Sequence, residues 1–114
     1  MTLGAKQEVF AENLAKLILF AYVNGYRIRV GEVWRSHAAA AAYALSGQGI
    51  SNSLHRLKLA ADLNLFKNGK FLTNSDDHRP LGDYWKSLHE DNRWGGDFKK
   101  RDGNHYSMTH GGIA

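Results

Sequence analysis

Two histidines and two aspartates stand out for the chemistry their spacing permits. Residues 53–66, SLHRLKLAADLNLF, offer an imidazole at His55 and a carboxylate at Asp62. Much later in the chain, Asp102-Gly-Asn-His105 adds a second imidazole with a carboxylate three residues before it. Two His and one Asp make three protein ligands, the donor set of a catalytic zinc that keeps its fourth position for water. The spare carboxylate, Asp102, is then free to act as a general base. The chain has no cysteine, so thiolate-held metals and disulfides are excluded and any metal must be held by His, Asp or Glu. Taken alone, a His and an Asp seven residues apart are more often a capping or surface pair than a metal site. The case depends on the elements that would bring these residues together.

At 114 residues the chain fits one domain with a core, and is too short for two. An apolar share of 43% argues for a globular fold and against disorder. The net charge of +4 favours anionic partners. Lys and Arg are scattered, however, and no basic helix with base-reading side chains or nucleic-acid motif is present, so nucleic acid is not an expected partner. The most apolar stretch, residues 14–23, is far too short for a membrane span and reads as the buried face of a helix. No basic-then-apolar leader opens the sequence, from which accumulation in the cytoplasm of the producing cell is expected.

Apolar residues at Phe10, Leu14, Leu17, Ile18 and Ala21 predict a helix over residues 6–24, closed by Asn24-Gly25. Residues 26–33 alternate, with Tyr26, Ile28 and Val30 on one face, and predict a half-buried strand. Ser36 can cap an alanine-rich helix over residues 37–45, followed by a polar, glycine-bearing loop over 46–53. Residues 59–66 alternate again, placing Asp62 on the face opposite Leu59, Ala61, Leu63 and Leu65. Asn68-Gly69 predicts a hairpin turn into a short strand at residues 71–73. Residues 73–79 read as polar loop, Pro80 opens a helix to about residue 90 with Leu81, Tyr84, Trp85 and Leu88 inward, and 93–97 read as a turn. A brief last strand follows at 105–108, and residues 110–114 read as a frayed terminus. The expected architecture is α+β: a small, mainly antiparallel sheet with packed helices, in one domain over residues 1–114 with its core at about 6–108.

The wording around the candidate ligands is more specific than their spacing. SLHRLKLAADL resembles the SxHxxGxAxD signature of the zinc D,D- and L,D-type peptidases that include vancomycin-resistance dipeptidases and phage endolysins, the M15 peptidases. The matched positions are Ser53, His55, Ala60 and Asp62. WGGDFKKRDGNHYSM is similar to that family's closing segment, where a Trp-Gly-Gly turn precedes a carboxylate and the last zinc histidine. With Arg35, the resemblance spans residues 25–108. One position departs: Lys58 stands where the signature has glycine, which puts the backbone path of that loop in question.

The resemblance implies the fold shared by D-alanyl-D-alanine peptidases and Hedgehog domains. It implies zinc held by His55, Asp62 and His105, with Asp102 as the catalytic carboxylate and Arg35 steadying an oxyanion or a substrate carboxylate. Arg27 and Arg29 are weaker candidates for that task, and a salt bridge is the plainer reading of all three. Ser53 either orders the His55 loop or meets substrate. Asp97 is a rival for the base, but its place in the Trp-Gly-Gly-Asp turn fits a scaffold role. His37, His78, His89 and His110 lack partnered spacing and read as surface residues, and Trp94 and Tyr106 as packing. The implied activity is that of an endolysin cutting a peptidoglycan stem peptide at L-alanyl-D-glutamate, acting as a monomer on the wall after membrane breach. A D-alanyl-D-alanine carboxypeptidase or dipeptidase and a non-catalytic zinc-binding domain are the alternatives.

Overall fold

The computed structural model of the chain describes residues 1–47 and 53–113. Helix α1 (Leu3–Val23) begins where the Thr2 hydroxyl accepts from the amide of Ala5 and ends at Asn24, with Gly25 beyond it at φ +85°. Strand β1 (Tyr26–Val30) follows, then helix α2 (His37–Ser46), capped as expected by the Ser36 hydroxyl on the amide of Ala39. Most of the loop expected over 46–53 lies outside the described residues.

Strand β2 (Ala60–Lys67) turns through Asn68 and Gly69, both at positive φ, into β3 (Lys70–Leu72). The segment expected as polar loop contains a 3-10 turn (Ser75–His78) that leads into α3 (Arg79–Leu88). The expected turn at 93–97 is in part a strand, β4 (Asn92–Trp94), before a second tight turn (Gly95–Asp97) and β5 (His105–Met108). β4 escaped notice because three residues are too few to show alternation. The terminus is not frayed: His110 and Ile113 form a bridge across Gly111-Gly112, and Ile113 packs against the core.

All strand pairs are antiparallel, in the order β1-β2-β5-β4, with β3 also pairing β2. The result is the α+β architecture that the periodicities predict. One sheet face is covered by α1 and α3, which meet through the stacked rings of Phe20 and Tyr84 at 4.1 Å. Beneath them lie Leu17, Ala21, Leu63, Leu65, Leu81, Trp85, Tyr106 and Met108, all fully buried. Trp85 donates its indole N–H to the carbonyls of Arg93 and Ser107, tying α3 to β4 and β5. β1 is shorter than expected: Val30 is exposed, and the chain leaves regular pairing at Gly31.

Lys58 answers the question raised by its mismatch with the signature. It closes the 3-10 turn Leu54–Leu57 in a left-handed conformation, φ 58° and ψ 37°. The backbone takes the path that suits glycine, and a lysine carries the strain. A left-handed non-glycine residue costs roughly 1–2 kcal/mol, part of which is offset by the unfolded-state freedom that glycine would add. Lys58→Gly is therefore expected to raise unfolding stability by about 1 kcal/mol, read as a higher urea midpoint at unchanged slope. A lower midpoint would mean that the lysine side chain contributes more than the strain removes.

Candidate metal centre

Asp62 stands directly across from His105 in the β2–β5 pairing. The amide of Leu63 donates to the carbonyl of Asn104 and that of Met108 to Leu59, which makes 63/104 and 59/108 hydrogen-bonded pairs. Alternation then makes 62/105 a non-hydrogen-bonded pair, the kind in which facing side chains come closest. Both side chains leave the sheet on the face opposite the core leucines.

His55 reaches the same place from the 3-10 turn Leu54–Leu57. The Ser53 hydroxyl accepts from the amide of His55 at 3.2 Å, and the amide of Arg35 donates to the carbonyl of His55 at 3.1 Å. Of the two roles open to the buried Ser53, ordering the His55 turn is the one its contacts display.

The three side chains converge. His55 Nε2 lies 3.4 Å and His105 Nδ1 3.5 Å from Asp62 Oδ1, and one ligand atom from each of the three falls within 4.8 Å of the others. Ligand atoms held tetrahedrally at zinc distances stand about 3.4 Å apart. Among the described residues Asp62 Oδ1 is buried without a hydrogen-bond donor, an arrangement costly for a carboxylate unless a cation completes it. Burial alone would push the Asp62 carboxyl up, but the contacts and charges of His105 and His55 outweigh it and hold it at about 2. Asp62 is thus ionised, and the donor set fits zinc.

Asp102 reaches the site on a turn that glycine makes possible. A Cβ on Gly95 would lie 2.0 Å from the carbonyl oxygen of Asp102 and 2.9 Å from His105 Cβ, so segment 102–105 packs directly on the Gly95 backbone. The amide of Asp102 donates to the carbonyl of Gly95, the Trp94 indole to that of Gly103, and Ser75 Oγ accepts from the amide of Gly103. The Asp102 carboxyl is raised above the usual carboxylate range, chiefly by lost solvation, with His105 opposing and Asp62 adding to the shift. It therefore senses the charges of the cluster.

Arg35 lies on the other side. Its Nε donates to Glu32 Oε1 at 2.7 Å, and its guanidinium lies over the ring of Tyr43. Glu32, Arg35, Tyr43 and Asp62 line a cleft of about 270 Å³. The salt bridge expected as the plainer reading of Arg35 is present, yet it holds the guanidinium beside a ligand. Arg27 and Arg29 instead lie over Tyr22 and Phe66. Asp97 is bound to Lys86 at 2.7 Å.

Sequence reasoning missed two residues. Glu32 had no motif to mark it, since a bulge aims it at the site. His78 is not a surface residue: it is buried, with Nδ1 2.8 Å from the Tyr106 hydroxyl. Trp94 and Tyr106 are packed in the core, as expected.

Two predictions follow from these contacts. Gly95→Ala should cost about 2 kcal/mol or more, because backbone blocks the new methyl, and should weaken zinc binding, whereas Gly4→Ala, in open space, should do neither. Thermal melts and chelator competition read both. His78 is lowered from 6.5 to about 4, first by burial, with Asp77 opposing. The unfolded chain then binds the extra proton, so stability should fall as pH drops from about 6.5 toward 4. In His78→Gln, urea unfolding across that window should show a shallower slope, and an unchanged slope would exclude His78 as its source.

No protein-family model and no curated protein matches the sequence. Among solved structures, the Serratia marcescens L-Ala D-Glu endopeptidase ChiX is similar at a TM-score of 0.69 and 22% identity, over 86% of this chain and 79% of that one. The vancomycin-resistance D,D-pentapeptidase VanY from a VanB-type cassette, determined as a mutant in complex with Zn(II), is similar at 0.59 and 18%, over 89% and 71%. At the level of fold, the resemblance read from the His55–Asp62 and Trp94–His105 segments is borne out: this chain has the architecture of those two peptidases.

Proposed function

We propose that the protein is a zinc-dependent peptidoglycan hydrolase of the endolysin type, a monomer that cuts the L-alanyl-D-glutamate bond of the stem peptide. The observation that carries this reading is the convergence of His55 Nε2, Asp62 Oδ1 and His105 Nδ1 between Arg35 and Asp102. The likeness to an L-Ala D-Glu endopeptidase supports the choice of bond.

Zinc, when bound, supplies Lewis acidity and brings the pKa of a water toward neutrality. The chain supplies the rest. Asp102 takes the proton of the attacking water and returns it to the leaving amine. Its raised carboxyl is suited to this, because a base that must also act as an acid works best with a pKa near the working pH. Arg35 steadies the negative charge that develops on the scissile carbonyl. Two of its N–H groups face Glu32, and the planar fork has five in all.

The likeness to a D,D-pentapeptidase favours a second reading, removal of a terminal D-alanine. Mass spectrometry of products from defined muropeptides separates the two, since loss of one D-alanine is not endopeptidase cleavage. A third reading, a zinc-binding domain without activity, predicts that zinc raises the melting temperature while stem peptides stay intact.

Digestion of purified peptidoglycan should release new amino groups, stop with chelator and resume with added zinc. Asp102→Ala should keep its zinc and lose turnover by a factor of at least about a hundred, the scale of a general base. His55→Ala should lose both metal and turnover. Equal activity in Asp102→Ala would remove the general base, and intact stem peptides after prolonged incubation with zinc-loaded wild type would overturn the hydrolase reading.

A further inference from the structure

Glu32 occupies a position that neither composition nor motif explains. Where β1 ends, Gly31 donates its amide to the carbonyl of Asp62, and the amide of Asp62 donates to the carbonyl of Glu32, both at 2.8 Å. Two residues thus answer one, in the manner of a β-bulge, a device that re-aims a side chain. Gly31 passes close to Asp62: a Cβ there would stand 3.0 Å from the Asp62 carbonyl oxygen. The Glu32 carboxylate is left facing two groups. Oε1 accepts from Arg35, and it lies 3.7 Å from His55 Nδ1.

The second contact is longer than a hydrogen bond, but His55 Nδ1 is buried and has no other partner among the described residues. His55 turns Nε2 toward Asp62 and His105. A neutral imidazole that offers the Nε2 lone pair must carry its proton on Nδ1, and a buried N–H of that kind needs an acceptor. Glu32 is the carboxylate on that side.

We infer that Glu32 is a positioning residue for the centre: its carboxylate is the acceptor for the Nδ1–H of His55, so favouring the tautomer that presents Nε2 to a metal, while the same oxygen holds Arg35 at the rim of the cleft. The inference rests on the zinc reading of the cluster. One carboxylate then couples a ligand to the group proposed to steady the oxyanion. Metal affinity and the placement of Arg35 consequently depend on one side chain outside the His55–Asp62–His105 ligand set.

The test compares wild type, Glu32→Gln, Glu32→Ala and Glu32→Asp, with zinc affinity measured by chelator competition and His55 tautomer by nitrogen-15 NMR of the imidazole. Thermal melts confirm folding, which the near-isosteric Gln variant should retain. Loss of such a partner typically weakens metal binding 10–100-fold. Glu32→Ala should fall in that range, Gln should fall less, and Asp should recover part of the loss. In zinc-free wild type, the neutral His55 ring should already carry its proton on Nδ1, before any metal can impose that tautomer. Wild-type zinc affinity in Glu32→Ala, or a His55 tautomer that in the zinc-free protein is indifferent to the substitution, would overturn the inference with the zinc reading intact. Failure of wild type itself to bind zinc would overturn both. Tight zinc binding without cleavage would strike only the hydrolase reading, leaving Glu32 to be decided by the affinities.

Discussion

The site depends on the register of two short strands. Asp62 and His105 are far apart in sequence, and only the pairing of β2 with β5 sets them face to face. Slipping that pairing by one residue would turn Asp62 into the leucine core and Leu63 toward solvent. Burial opposes the slip: Ala61, Leu63 and Leu65 on β2 are all fully buried under α1 and α3. The energy that fixes the candidate metal ligands is thus the hydrophobic energy of the opposite face. A residue that contributes nothing to the chemistry, such as Leu63, still determines where Asp62 points.

His55 and Asp102 are attached to this frame differently. His55 sits on a 3-10 turn closed by Lys58 in a left-handed conformation and held by Ser53 and Arg35. Asp102 sits on a turn seated on bare glycine backbone and secured by Trp94 and Ser75. Both turns gain precision from contacts that leave little room for a Cβ or for a shift. The local charge is equally constrained. Asp62, Glu32 and Asp102 gather near two imidazoles, with Arg35 as the cation bound to Glu32. Such a concentration of carboxylates is self-repelling unless a positive ion resides among them, which agrees with the donor set.

Much of this was legible in the sequence, for physical reasons that differ between elements. The 3.6-residue period of α1 and the two-residue period of β2 follow directly from which faces are buried, and they placed Asp62 on the open face. Asn68-Gly69 announced its turn because few residue types tolerate two successive positive φ values. The ligands emerged from spacing together with wording, since Ser53, His55, Ala60 and Asp62 serve one local geometry. Glu32 did not emerge, because a bulge breaks alternation and pattern reading then assigns the wrong face. His78 was misjudged because its partner, Tyr106, lies 28 positions away and only the fold brings the pair together. β4 is held by its pairing with β5, and its three residues carry no period of their own.

Two clefts, one lined by Arg35 and Asp62 and the other by Asp102, give the proposed reaction a direction. On one side Glu32, Arg35, Tyr43 and Asp62 line about 270 Å³, and on the other Asn64, Thr73, Ser75, Arg101, Asp102 and Asn104 help line about 380 Å³. Under the proposed roles, the scissile carbonyl oxygen turns toward Arg35 and the leaving nitrogen toward Asp102. The leaving half of the substrate then belongs in the larger cleft. Its walls combine amides and hydroxyls with the apolar Phe71 and Leu72, the Asp102 carboxylate and the Arg101 guanidinium, which binds Asp76 outside the cleft. The Arg101 guanidinium suits a leaving segment that carries a free carboxylate, and D-glutamate joined through its side chain is such a segment. A terminal D-alanine is also anionic, but it is small and would leave most of that volume unfilled. Under the proposed roles, the size of the larger cleft therefore favours the proposal of cleavage within the stem over trimming at its end.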